Sequence, residues 1–214
     1  MTKKDEENRL AIQIKNDIIS GKYRAGEWLK QADLESSYQA NRFETRMALS
    51  DLAARKIISH IPNRGYRVIN PSDKEREDLY QVRTLLETAA AKLAVQKANA
   101  KDIDELQTIV DLFEDAIEHQ TKDSLIALNM EFHNRFYSIS CNDILCQQIE
   151  EMRHRGLPGR QGSWTTVAGS RASNQDHREM VEKLRIKDVE GVSYIVYRHL
   201  NRWREFSTPN SSQN

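Results

Sequence analysis

The sequence predicts a mainly α fold in two parts, and three observations carry that expectation. Between Gln31 and Ile69 a short helical segment, a three-residue break, a second helix and two β-prone runs follow one another. From Asn70 onward the 214-residue chain shows helical periodicity with no convincing strand alternation. At the junction, Asn70-Pro71-Ser72-Asp73 joins a proline to turn formers and a helix N-cap. The expected domains are therefore 1–70, a winged helix-turn-helix, and 71–208, an all-α antiparallel helical bundle, with 209–214 left as a polar tail.

The first helix is expected over Asp5–Ser20, with Leu10, Ala11, Ile14 and Ile18 on one stripe and Gly21 as its stop. After a loop and a short strand at Trp28-Leu29 comes the helix Gln31–Tyr38, the break Gln39-Ala40-Asn41 and the helix Arg42–Lys56. Asn41 and Glu44 form an Asn-x-x-Glu capping box. Leu49, Leu52 and Ala53 give the second helix its apolar face, while Arg42, Thr45 and Arg46 share its first turns. That end of a recognition helix reaches base edges and phosphates, and arginine's planar fork suits both. A hairpin of Ile57–Ile61 and Tyr66–Ile69 follows, with Arg64 and Gly65 at its tip like wing residues.

Charge agrees with that division. Residues 1–70 hold 13 Lys and Arg against 9 Asp and Glu; the remainder holds 19 against 23, and the whole is neutral. The basic front half is the one suited to a polyanion. No apolar run is long enough for a membrane span, and Met1–Asn8 has no signal-peptide core. Cys141 and Cys146, five apart in the sequence, suit a disulfide poorly, which points to a reducing, cytoplasmic setting.

The run Arg42-Phe43-Glu44-Thr45-Arg46-Met47-Ala48-Leu49, followed by Leu52, Ile57-Ile58 and Pro62-Asn63-Arg64-Gly65-Tyr66-Arg67-Val68, resembles the GntR family of bacterial transcription regulators. That resemblance implies DNA contact by Arg42, Thr45, Arg46, Arg64 and Gly65. Asn41 and Glu44 depart from the family pattern Ser-Arg-x-Pro-Val-Arg-Glu-Ala-Leu. Asn41 stands for serine, an equally good cap, and Glu44 stands for proline. Glu44 has two readings: it closes the capping box, or it accepts from a cytosine amine.

In the second domain, helices are expected near 73–97, 101–119, 122–139, 142–155, 173–186 and 188–206. Gly156–Ala172, rich in Gly, Ser and Thr around Trp164, reads as a long loop or an interrupted helix, a candidate lid. Asn129 and His133, four apart, share a face with Leu125, Leu128, Phe132 and Phe136. His177 lies on the stripe of Met180, Val181 and Leu184, and His199 on that of Val192, Ile195, Val196 and Trp203. A sharp turn at Lys187-Asp188 would place His177 and His199 roughly 15–17 Å from it on facing helices, at one level. A lone inward histidine is usually a core residue. Three, with an oxygen donor, suit Zn²⁺, Ni²⁺ or a similar divalent ion. His60, His119 and His154 show no such pattern and are expected at the surface.

This half resembles the FCD class of ligand-sensing domains of the FadR-type branch. Its metal-binding members carry Asp-x-x-x-His and two later histidines, matched here by Asn129 to His133, Asp176-His177 and His199. Asn129 departs from the usual aspartate, which makes the site one unit more positive. The resemblance implies a divalent metal held by Asn129, His133, His177 and His199, with a small carboxylate effector anchored on it. Arg83 and Arg153 are candidates to complete that pocket, although Arg83 and Glu87 also suit a plain i,i+4 ion pair. The whole reads as a homodimeric repressor on palindromic double-stranded DNA, not an enzyme. Two alternatives stand beside it: a metal-independent acyl-CoA-type sensor, and a metal-dependent enzyme fused to a DNA-binding head, which lacks an evident general base beyond Glu131.

Overall fold

The computed structural model describes residues 3–119, 122–155, 166–202 and 204. The chain divides into two compact units, Met1–Arg76 with Arg153–Gly159, and Glu77–Met152 with Arg160–Asn214. Trp164 and most of the expected Gly156–Ala172 loop, Trp203 and the 209–214 tail lie outside the described residues.

In the first unit, α1 (Lys3–Ser20) precedes β1 (Trp28–Leu29), α2 (Gln31–Tyr38), α3 (Arg42–Ala54), β2 (Ile58–Ile61) and β3 (Gly65–Val68). The antiparallel sheet has the order β1-β3-β2, with Ile58 opposite Val68 and Trp28 opposite Arg67. Ile14, Leu34, Leu49, Leu52, Ile57 and Ile58 are fully buried and tie α1, α2, α3 and the sheet into one core. The break between α2 and α3 is tight because Gln39 adopts a left-handed conformation (φ 52°) and its N–H returns to the Glu35 carbonyl. Gly26 is also left-handed (φ 79°). A Cβ there would stand 2.9 Å from the guanidinium of Arg67, whose Nε donates to the Gly26 carbonyl. That bond fastens the β1 approach to the wing strand.

The second unit is helical: α4 (Asp73–Lys97), α5 (Ala100–Glu118), α6 (Lys122–Ser138), α7 (Asp143–Arg155), α8 (Val167–Arg185) and α9 (Val189–Asn201). Ala90, Ala91 and Ala94 give α4 a flat, fully buried stripe, against which Phe132, Phe136, Met180, Leu184 and Val196 complete the core. Caps set the helix starts: Asn99 with Asp102 before α5, Thr166 before α8, and Asp188 before α9. Among the described residues no helix is long and apolar enough to cross a membrane, and Cys141 and Cys146 are free thiols.

Most expected boundaries shift by one or two residues, and the start of α8 shifts further. α8 begins at Val167, six residues before the expected start, because its first turns bury Gly169, Ser170 and Ser173 in place of large apolar side chains. Asn174 then donates from Nδ2 to the Val110 carbonyl and to Glu114, so polar bonds hold α8 to α5 there. α9 runs to Asn201 with Arg202 at its C-cap, and three of the last four residues of the expected 188–206 helix lie outside the described residues.

His154, expected at the surface, is instead buried at the end of α7, in the segment grouped with the first unit. Burial, reinforced by the charges of Lys15, Arg153 and Arg55, pushes its imidazole down to about 4. The unfolded chain therefore takes up this proton first, near the ordinary histidine value of about 6.5. Stability is full above that value and falls as pH drops toward 4. Denaturant unfolding is expected to lose up to about 2 kcal/mol between neutral pH and about pH 5, a loss that His154→Gln removes.

Candidate nucleic-acid interface and metal centre

α3 starts on a complete capping box: the Glu44 N–H donates to Asn41 Oδ1 (3.0 Å) and the Asn41 N–H to Glu44 Oε2 (2.9 Å). Of the two readings of Glu44, the structure realises the cap. Arg42 and Arg46 are exposed on the first turns, and Arg64 is exposed at the wing beside Gly65, whose φ of 96° forms the tip. Thr45 departs from expectation. It is fully buried, and its hydroxyl donates to the Asn41 carbonyl (3.0 Å), so it braces the helix start and presents nothing to a ligand. The signal was in the sequence: Thr45 stands four residues before Leu49 and seven before Leu52, on the buried stripe. The side chains that share the exposed face with the arginines are Phe43 and Met47.

In the second unit the three histidines meet. α6 supplies His133, α8 His177 and α9 His199, all buried. His133 Nε2 lies 3.2 Å from His177 Nε2 and 3.1 Å from His199 Nε2. Ligand nitrogens about 2.0–2.1 Å from one ion are themselves about 3.0–3.4 Å apart, so this spacing fits a shared cation. Three imidazoles cannot satisfy one another by hydrogen bonds alone, because each close nitrogen pair accommodates a single proton. One turn before His133 on the same helix, Asn129 is buried and its Oδ1 has no hydrogen-bond partner, a further oxygen in want of a donor or a cation. The donor chemistry therefore fits a divalent ion.

The surroundings orient the rings. Phe132 stacks on His177 with centroids 4.0 Å apart, and Tyr137 lies nearly parallel to His133 at 5.9 Å. His199 Nδ1 is 3.3 Å from Asp176 Oδ2, which keeps the ring proton on Nδ1 and turns the Nε2 lone pair inward. Asp176 is itself fully buried and also accepts from Arg198 and Arg202. Burial alone would raise its carboxyl, but the bonds from Arg202, His199 and Arg198 hold it well below the usual carboxylate range.

Arg83 and Glu87 form the i,i+4 ion pair: Arg83 Nε donates to Glu87 Oε1 (2.7 Å), and both are buried. Tyr137 Oη donates to Glu87 Oε2 (2.6 Å), which links this pair to the ring stacked on His133. A cleft of about 340 Å³, lined by His133, Asn134, Tyr137, Asp143, Cys146, Gln147, Ile149 and Glu150, lies beside His133. Arg153 is buried and groups with the first unit, whereas the histidines and Arg83 belong to the second. Sequence reasoning missed Asp176, Arg198 and Arg202 as the support of His199. Asp176 beside His177 and Arg198 beside His199 were the available signal.

The fold now defines a class: a winged helix-turn-helix head together with a helical domain. Residues 7–68 match the bacterial regulatory proteins of the gntR family, and residues 78–202 match the FCD domain. The chain belongs to the gntR-family regulators that carry an FCD domain. It is 25% identical over 193 residues to the transcriptional regulator McbR of Escherichia coli, covering 87% of each. It is 24% identical to the Nta operon transcriptional regulator of Aminobacter aminovorans, covering 86% of each. The gluconate operon transcriptional repressor of Bacillus subtilis is 27% identical over 58% of this chain and 51% of its own length. The solved structure of Escherichia coli McbR/YncC superposes with a TM-score of 0.82 at 22% identity, over 94% of this chain and 95% of that one.

The position of Thr45 sets an expectation for its removal. Thr45→Val is expected to lower stability by about 1 kcal/mol in thermal or denaturant unfolding, the usual contribution of one hydrogen bond. Affinity for DNA should move by less than about twofold in an anisotropy titration.

Proposed function

We propose that this DNA-binding transcription regulator is a cytoplasmic homodimeric repressor whose grip on a palindromic operator is set by a small carboxylate effector at a divalent metal in the FCD domain. The observation that carries the reading is the convergence of the His133, His177 and His199 Nε2 atoms in a buried site. Those histidines, with Asn129, would hold Zn²⁺ or Ni²⁺; a bound ion supplies a Lewis-acid seat for a carboxylate.

The cleft beside His133 carries the carboxylates of Asp143 and Glu150, but the donor set itself supports an anionic effector. Its donors are neutral imidazoles and an amide, and the nearby carboxylate, Asp176, is already matched by Arg198 and Arg202. Glu87 is likewise matched by Arg83. A divalent cation there leaves buried positive charge that an anion offsets. The relative named a gluconate operon repressor is consistent with a repressor in this family. Two protomers related by a two-fold axis would set two α3 helices about one turn of DNA apart, with Arg42, Arg46, Arg64 and Gly65 facing the duplex. The effector acts by binding one arrangement of the heads better than the other.

Purified protein is expected to carry near-stoichiometric divalent metal by elemental analysis, lost in His177→Ala; absence of metal from both proteins, even after incubation with Zn²⁺ or Ni²⁺, would remove the metal reading. On the output side, Arg46→Ala is expected to weaken operator binding about 10- to 100-fold in a gel shift, with an unchanged unfolding midpoint.

A further inference from the structure

The exposed face of α3 holds two columns, not one. Arg42 and Arg46 form the first, and Phe43 and Met47 the second, each pair four residues apart. Phe43 is 53% exposed and Met47 43% exposed, while Ala48, Leu49 and Leu52 of the same helix are fully buried. Phe43 and Met47 therefore lie off the core-facing stripe and outside the first unit's buried cluster. Single exposed apolar residues are ordinary on a protein surface. An aromatic and a thioether stacked on the first turns of a recognition helix, flanked by arginines, have a specific chemical complement.

That complement is the 5-methyl group of thymine, the one apolar feature of the major-groove edge. Arginine reads guanine O6 and N7, and a flat apolar side chain beside it packs on a neighbouring methyl. The spacing agrees: residues four apart on a helix are separated by about 6 Å, close to two base-pair rises of about 3.4 Å. Burial of Thr45 sharpens the point, because the one polar group expected between the arginines is turned into the core.

We infer that Phe43 and Met47 are specificity-determining residues that read thymine methyl groups, so that each operator half-site places thymines next to the guanines taken by Arg42 and Arg46. The inference rests on α3 being the recognition helix, and its test separates the two.

The full-length protein is used to select binding sites from a random duplex pool. Each thymine of the selected duplex is then replaced singly by deoxyuridine, which removes only the methyl group. One or two positions per half-site are expected to lose about fourfold in affinity, the equivalent of one buried methyl. Phe43→Ala or Met47→Ala should lose a similar factor and become indifferent to deoxyuridine at its own position. The salt dependence of binding should stay unchanged, since no phosphate contact is removed. A wild-type scan with no sensitive position overturns the inference, even if a variant fails to fold or to bind. So does a sensitivity that survives in both variants. Failure to select any duplex removes the recognition-helix reading, and the inference with it.

Discussion

Asp176 is the group on which the second unit's chemistry depends. It is a fully buried carboxylate at the junction of α8 and α9, and it accepts from Arg198, Arg202 and His199 together. Isolated, such a charge would be costly to bury; surrounded by three donors it becomes a fixed point. Because His199 and both arginines come from α9 or its C-cap, the bonds also set the register of that helix against α8. The lone pair of His199 is aimed by a residue that does not belong to the donor set.

The same logic recurs one layer out. Glu87 is buried and held by Arg83 on one oxygen and by the Tyr137 hydroxyl on the other, and the Tyr137 ring lies against His133. Two of the three imidazoles are thus positioned by buried carboxylates, each already matched in charge. His177 is fixed differently, by the stacked ring of Phe132. All three rings are thus oriented by side chains outside the proposed donor set.

Much of this was legible in the chain. His177 and His199 could be placed at one level because helical rise and one turn at Lys187-Asp188 suffice to align two residues; Lys187 does adopt the left-handed turn conformation (φ 57°). The capping box was legible because it is local. The start of α8 was not, since Gly169, Ser170 and Ser173 are buried without being apolar, and periodicity of hydrophobic residues cannot register them. Thr45 misled for a related reason. Its spacing from Arg42 and Arg46 is helical, but so is its spacing from Leu49 and Leu52, and only packing decides between the two faces. His154 is buried by tertiary structure that no local pattern encodes.

The capping box has a thermodynamic consequence for the encounter with DNA. With Asn41, Glu44 and Thr45 all engaged in hydrogen bonds, α3 is ordered from its first residue in the free protein. No part of α3 has to fold first, so a duplex would meet this helix already formed. The heat-capacity change of that encounter then reports buried apolar surface without a contribution from coupled folding of α3. The carboxylate of Glu44 also sits at the positive end of the helix dipole, partly cancelling the attraction that a bare N-terminus offers to any phosphate. The start of α3 thereby offers less of a field that treats all duplexes alike.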